Sequence, residues 1–301
     1  MISDRKFLIK YAWLSVSAAL LTILLKAGAY FLTDSVGLLS DAIESTANLV
    51  AAVVALIVLT VAAQPPDEEH AYGHTKAEYF SSGVEGTLIL VASLTIGIAA
   101  VNRLMNPQPI EQIGVGIIIS IIAALLNLVV ARILYRAGSQ YRSITLVADA
   151  KHLMTDVWTT AGVLVGVGAV GITGWVWLDP VIALVVAIQI LISGIKILRE
   201  SVGGLMDVGL PADEIEQIVG ILNAHTQDGV QYHALRTRQS GAQRFMSVHL
   251  QVPGDWSIQK GHSLLEDIES DVRSSLEPIS VFTHIEPLED PRSWEDIAIN
   301  R

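Results

Sequence analysis

The stretch Ala148-Asp149-Ala150-Lys151-His152-Leu153-Met154-Thr155-Asp156 lies near the start of a long apolar run. On a helix, His152 and Asp156 leave the same face one turn apart, because side chains at i and i+4 stack along the axis. Ionisable groups inside a hydrocarbon-length segment are costly and mark ion or proton paths. A second stretch, Ser40-Asp41-Ala42-Ile43-Glu44-Ser45-Thr46-Ala47-Asn48, repeats the spacing with Glu44 and Asn48. Facing each other, the two edges offer four ligands: two carboxylates to cancel a divalent charge, an imidazole and an amide oxygen. Such a set favours zinc, iron, cobalt or nickel over magnesium and calcium. The imidazole is also a proton carrier, since it must be neutral to bind metal. Helix packing or a satisfied core histidine would account for any one of these residues alone; two matched pairs at similar depth favour a metal site.

The rest of the chain supplies a membrane for that site. Of its 301 residues, 51% are hydrophobic and 16% charged, and the mean hydropathy is +0.51, the composition of a membrane protein. Six runs of roughly 20 residues or more can each cross a ~30 Å hydrocarbon core as helix. They lie near Phe7–Phe31, Val36–Ala63, Lys76–Met105, Gly114–Ala137, Ile144–Ile172 and Pro180–Leu205. Their ends are punctuated. Thr75-Lys76-Ala77-Glu78 has capping-box spacing, Asp179-Pro180 reads as an N-cap followed by proline, Pro107 and Pro109 close the third helix, and Gly174 ends the fifth. Arg5, Lys6, Lys10, Arg132, Arg136, Arg142, Lys196 and Arg199 fall on one side if six helices alternate. The positive-inside rule makes that side the cytoplasm and places both termini there, although the connection Gln64–Gly73 on the same side is acidic. The charged N-terminus leads into the first run with no small-residue cleavage pattern, so no removable signal peptide is expected.

After Asp207 the pattern changes. Fifteen acidic and seven basic residues follow, so the segment from Val208 carries −8 of the formal −11. An acidic surface suits cations and argues against nucleic-acid binding. The absence of cysteine excludes disulfides and thiolate ligands, which leaves imidazole, carboxylate and amide oxygen for metals. Pro211-Ala212-Asp213-Glu214 opens a short amphipathic helix, strands follow near Val230–Gln239 and Arg244–Val252 around a Ser240-Gly241 turn, a helix runs from about Ser257 to Leu276, and a last strand covers Ile279–Glu286. This α-β-β-α-β order predicts a small two-layer α+β domain. The expected division is a six-helix membrane domain over residues 1–208, a soluble domain over 209–287 and a polar tail over 288–301, loosely held from Pro287 onward. Two further ligand groups stand out. Asp67, His70 and His74 sit between the second and third helices, where a merely solvated loop is the ordinary alternative. His233, His249, His262, His284 and Glu286 crowd the soluble domain, with His284 and Glu286 on one face of the last strand. His225 reads as a surface residue. Asp41, Glu85, Asn127 and Asp149 read as lining a wet cavity or orienting ligands.

Together, the six spans, the polar pair in the second, His152-x-x-x-Asp156 in the fifth and the terminal α-β-β-α-β domain resemble the cation diffusion facilitator family of divalent-metal/proton antiporters. The resemblance runs from Phe7 to Glu286. The strings Asp67-Glu68-Glu69-His70-Ala71-Tyr72-Gly73-His74-Thr75-Lys76-Ala77-Glu78 and Leu235-Arg236-Thr237-Arg238-Gln239-Ser240-Gly241 are similar to those of its bacterial zinc/iron exporter branch. The fold it implies is an α-helical membrane protein with six transmembrane helices plus a C-terminal cytoplasmic α+β domain, metallochaperone-like, that dimerises. It further implies a homodimer with a transport site in each protomer, a loop metal on Asp67, His70 and His74, a two-metal cluster at the dimer interface on His233, His249, His262, His284 and Glu286, and an ion pair between Lys76 and Asp207 across the dimer. Three positions depart from the pattern. Glu44 and Asn48 stand where the branch commonly has Asp or His and then Asp, and Glu286 stands where the family often has Asp. An amide at 48 removes one negative charge and one proton acceptor from the transport site.

The expected function is proton-coupled efflux of a divalent transition metal from the cytoplasm by alternating access, in a bacterial inner membrane. Zinc is the first choice, with iron, cobalt, manganese, nickel or cadmium as others. Metal serves as substrate and regulatory ligand, protons as counter-ion, and a second copy and membrane lipid as partners. An enzyme is not expected, since no H-E-x-x-H or comparable arrangement occurs. The alternative class is a membrane-anchored metal sensor or scaffold, which would have no use for ligand pairs at membrane depth.

Overall fold

Apolar runs of this length must satisfy each backbone N–H and C=O internally, and helices do so. The computed structural model of the chain describes residues 2–33, 36–106, 115–227 and 229–294, with the side chains of 2–4, 29–30, 32–33, 36–44, 47, 115–117 and 167 outside the description. It forms two compact units that divide at Gly203. In the first, a 3-10 segment (Ile2–Leu8) leads into α1 (Ile9–Thr33), α2 (Val36–Ala62), α3 (Ala77–Met105), α4 (Val115–Gln140), α5 (Ile144–Thr173) and α6 (Leu178–Leu205). Among the described residues five stretches, in α1, α3, α4, α5 and α6, are long and apolar enough to cross a membrane. α2 has the length, 27 residues, and its described side chains give the apolar stretch Asn48–Ala62.

Small residues let these helices approach closely, as packing within a bilayer requires. Ala12 and Ala18 of α1, Ala131 and Ala137 of α4 and Ala150 of α5 share a buried cluster with Leu134, Leu146 and Leu153. On its other flank α5 packs Ala148 against Ile89 of α3 and Ile190 and Ile197 of α6. α5 is thus clamped on two sides, which fixes the direction of its polar edge.

Two helix starts differ from the sequence reading. At the third helix Lys76, not Thr75, holds the cap position, and its side chain makes no capping hydrogen bond. The Glu78 carboxylate is fully buried and turns instead to Arg5 Nη1 and Ser143 Oγ, both donating at 2.5 Å. A buried carboxylate gains more from a guanidinium than from a local N–H. Ser143 in turn caps α5, accepting from Leu146 N. α6 begins at Leu178, so Asp179 lies in its first turn rather than at the cap, with Oδ2 3.3 Å from Arg103 Nη1. Gly174 ends α5 as expected, at φ +74 where a Cβ would be strained. Pro107 and Pro109 lie outside the described residues.

The second unit contains α7 (Ala212–His225), β1 (Gln231–Ser240), β2 (Gln243–Val252), α8 (Ile258–Leu276), β3 (Ile279–Pro287) and a 3-10 turn at Pro291–Trp294. β2 is central, antiparallel to β1 and parallel to β3, and α8 makes the crossover that a parallel pair needs. Met246, Val248, Leu250 and Val252 pack with Ile218, Leu222, Ile268 and Val272, so both helices cover one face of the sheet. Arg244, buried, ties the layers: Nε and Nη2 donate to Glu214 of α7 at 2.7 and 3.0 Å, and Nη1 donates to the Leu276 carbonyl at 3.0 Å.

Residues 288–294 are held more firmly than their polarity suggests. Leu288 N donates to Val252 O at 2.8 Å, Gln251 Nε2 to Ser293 O at 3.0 Å and Trp294 Nε1 to Leu288 O at 3.1 Å. Gln251 is 1% exposed, and a buried amide needs a partner, which this turn supplies.

The Arg244–Glu214 pair gives a stability test. Glu214→Gln leaves a buried guanidinium without its counter-charge and should cost about 3–5 kcal/mol in chemical denaturation of the soluble segment. A loss below about 1 kcal/mol would mean that water screens the pair as at a surface.

Candidate metal centres

α2 and α5 pack together, which brings Asn48, His152 and Asp156 into contact. His152 Nε2 lies 2.8 Å from Asn48 Oδ1, and Asn48 Nδ2 donates to Asp156 Oδ2 at 2.5 Å. With Nε2–H donating to the amide oxygen, Nδ1 carries the lone pair, and Nδ1 is buried with no hydrogen-bond partner. Asn127 of α4 donates to the same Asp156 Oδ2 at 3.0 Å. Asn127, expected to line a wet cavity or orient a ligand, sits on this carboxylate. His152 is 5% and Asn48 6% exposed. Glu44 lies one turn before Asn48 on α2, and its side chain is outside the described residues. A buried imidazole nitrogen, a buried amide oxygen and a partly buried carboxylate make a donor set for a borderline transition metal. Cations and protons compete there for the same acceptor atoms.

The loop between α2 and α3 gathers Asp67, His70 and His74. Asp67 Oδ1 accepts from the backbone N–H of His70 at 2.6 Å and of Glu69 at 3.1 Å. His70 Nδ1 is 3.3 Å from Oδ1, His74 Nε2 is 3.2 Å from Oδ2, and the two rings lie 4.5 Å apart. A turn closed by Gly73 N donating to His70 O, with Gly73 at φ +82, folds His74 back toward Asp67. The His70 backbone N–H holds the Asp67 carboxyl below its usual range, and the nearby His74 adds to this.

In the second unit strand register does the positioning. His233 pairs with His249 across β1 and β2, and His249 pairs with His284 across β2 and β3, so three imidazoles form one row on the face away from the helices. Glu286, two residues along β3, reaches back to all three: His233 Nε2 at 2.9 Å, His249 Nδ1 at 3.2 Å and His284 Nε2 at 3.6 Å. The ligand atoms of His233, His249 and Glu286 all lie within 4.8 Å of one another. His284 stands at the open end of the row, its side chain 65% exposed. His262 stays apart on α8, exposed, 4.0 Å from Glu266. A β-bulge between His233 and Arg236, with Ala234 at φ +50, resets the β1 register next to the row. Trp294 leans its ring to within 6.4 Å of His233. Neither bulge nor tryptophan shows in the alternation of the strand. Asp207 accepts from Arg238 within its own unit at 3.3 Å, and His225 meets Asp271 at the surface.

Helices long and apolar enough to cross a membrane thus precede an α+β domain that carries an imidazole-carboxylate row. Residues 12–206 match the model of the cation efflux transmembrane domain and residues 210–288 that of the cation efflux protein cytoplasmic domain; the chain belongs to the cation efflux family, as the resemblance implied. An uncharacterized transporter of Synechocystis sp. is 52% identical over 285 residues, 95% of this chain and 92% of that protein. The cation-efflux pump FieF of Klebsiella pneumoniae is 30% identical over 274 residues, covering 91% of this chain and 90% of its own. FieF of Serratia proteamaculans is 30% identical over 282 residues, 93% of each chain.

Glu286 is the group shared by three imidazoles, so Glu286→Gln should weaken zinc binding to the soluble domain by more than about tenfold. His225→Ala, at the Asp271 contact, should leave it unchanged. Equal titration curves for the wild type and Glu286→Gln in calorimetry would remove Glu286 from the site.

Proposed function

We propose that this chain exports a divalent transition metal from the cytoplasm in exchange for protons, with zinc first and iron, manganese, cobalt, nickel or cadmium as the other candidates. The observation that carries the reading is the contact of His152, Asn48 and Asp156 across α2 and α5, with Glu44 as the fourth ligand. Alternating access then exposes the site to one side and the other, and proton binding on one side drives metal off. The names of the FieF relatives, cation-efflux pumps, support the outward direction. The bias of basic residues supports a bacterial inner membrane with both termini in the cytoplasm.

The soluble domain fits a regulatory role in a homodimer. Two copies of charge −8 repel over a range of ~8 Å at physiological salt. Metal held by His233, His249 and Glu286, and by His262 and His284, offsets that repulsion and joins the two domains. A Lys76–Asp207 pair across the dimer then links the domain's movement to the membrane helices. Asp67, His70 and His74 hold a further metal at the loop. A sensor that transports nothing would need the histidine row but not the triad on α2 and α5, and for that reason the transporter is favoured.

Metal uptake into proteoliposomes over a panel of zinc, iron, manganese, cobalt, nickel and cadmium, with and without a pH gradient, tests the reading. Zinc flux should rise with an opposing proton gradient and fall to background in His152→Ala, while the dimer stays folded. Robust flux in that variant would sink the assignment. Asn48→Asp, which adds a charge and a titratable group, should tighten zinc binding and change the protons exchanged per metal. An unchanged metal preference together with an unchanged pH dependence would place Asn48 outside the ligand set.

A further inference from the structure

Along β2, Leu250 and Val252 belong to the core under the helices, so Gln251 between them points to the opposite face, the one that carries the histidines. Gln251 is nonetheless buried. Register sets it beside Glu286, as it sets His249 beside His284. The cover comes from the chain beyond β3. Residues 288–294 start at the end of β3, where Ser293 Oγ donates to Pro287 O at 2.8 Å. They pass over β2, where Gln251 Nε2 donates to Ser293 O, and end at β1, where the Trp294 ring neighbours His233 with centroids 6.4 Å apart and planes at 50°. The segment is a strap laid across all three strands at one end of the histidine row.

Exposure along the row follows the strap. The side chains of His233 and Glu286, next to it, are 10% and 11% exposed, whereas His284 at the far end is open. The strap is itself held in shape. Trp294 Nε1 donates to Leu288 O, which orients the indole, and Glu289 Oε2 accepts from Gly254 N at 2.9 Å. Its one basic residue, Arg292, donates through Nε to Asp290 at 3.0 Å, so the strap brings no unpaired positive charge to oppose a cation.

An indole at ring-contact distance from an imidazole restrains the rotation of a ring that has to present a nitrogen to a metal. It also takes the place of water on that side, and attraction between a cation and a carboxylate strengthens as water is excluded. Groups that orient a ligand in this way change metal affinity by about 10–100-fold. We propose that the strap is the outer wall of the metal centre in the soluble domain, and that Trp294 is a positioning residue for His233.

This rests on the reading of His233, His249 and Glu286 as a metal site and adds the segment that completes it. Metal binding and docking of the strap are then linked, and the linkage is reciprocal: if the docked strap raises zinc affinity by some factor, bound zinc lowers the undocked fraction by the same factor. Metal occupancy thereby decides whether residues 288–294 lie on the sheet or come away from it.

Full-length protein in detergent tests this with two readouts. Zinc affinity is measured by competition with a chelating dye, and the site is isolated as the part of the titration that Glu286→Gln removes. Trp294→Ala should weaken that site about tenfold and Trp294→Phe should restore most of the loss. In the Glu286→Gln background Trp294→Ala should add nothing. Tryptic cleavage after Arg292, followed by mass spectrometry, should slow with zinc by the same factor of about ten, since the bond is open to a protease only when the strap has come away. Zinc should not slow that cut in Glu286→Gln. Equal affinities in the wild type and Trp294→Ala, or a zinc-loaded wild type cut as fast as the metal-free protein, overturn the proposal and leave the metal site standing. A loss in Trp294→Ala that persists beside Glu286→Gln is a general loss of structure and overturns it too. The protease measurement needs no change at Trp294, so a misfolded variant does not shield the proposal. A Glu286→Gln titration identical to that of the wild type removes the metal site itself, and the role of the strap with it.

Discussion

Polar groups inside a body of apolar helices must satisfy one another, and here that demand falls on the contact between α2 and α5. His152 reaches Asn48, Asn48 reaches Asp156, and Asn127 comes in from α4 to the same carboxylate. In a medium of low polarity each of these contacts is stronger than in water, and each would be costly to leave unmade. The helices therefore pack so as to keep the four side chains together. A site assembled in this way also suits a cation, because the oxygens that accept these hydrogen bonds are metal donors as well.

The soluble domain reaches a similar result by other means. Its sheet has one face given to the core under α7 and α8 and one left to the histidine row. Strand pairing at a spacing of about 4.8 Å sets the imidazoles side by side, and Glu286 lies close enough to serve all of them. The buried Arg244–Glu214 pair holds the layers beneath, so the positions of the ligands derive from backbone pairing and a core, not from a loop.

Much of this was legible in the chain. The i, i+4 polar edges, the lengths of the apolar runs, the alternation of Met246, Val248, Leu250 and Val252, and the glycine after α5 are local patterns with local causes. What stayed hidden depends on residues far apart in sequence. Glu78 sits at capping-box spacing, but its partner is Arg5, 73 residues away, and a guanidinium outweighs a backbone N–H. Asn127 could be seen as polar in a span without any sign that it faces Asp156. The bulge at Ala234 and the docking of the Pro291–Trp294 turn leave no trace in hydropathy, since each answers a need of the tertiary structure: a change of register in one case, a partner for buried Gln251 in the other.

The node around Glu78 has a mechanical side. Arg5 precedes α1, Glu78 opens α3, and Ser143 and Thr145 start α5, so one buried carboxylate pins three chain segments at one end of the helix body. α5 is held there, whereas the candidate ligands are divided, with Asn48 on α2 and His152 and Asp156 on α5. Metal–ligand distances hold to about 0.2 Å, while one residue's rise along a helix is about 1.5 Å. A slip of α2 past the pinned α5 by a small fraction of a turn is enough to take the coordination sphere apart. Affinity in such a protein is a vernier reading of helix registry, graduated far more finely than the motion that opens a path.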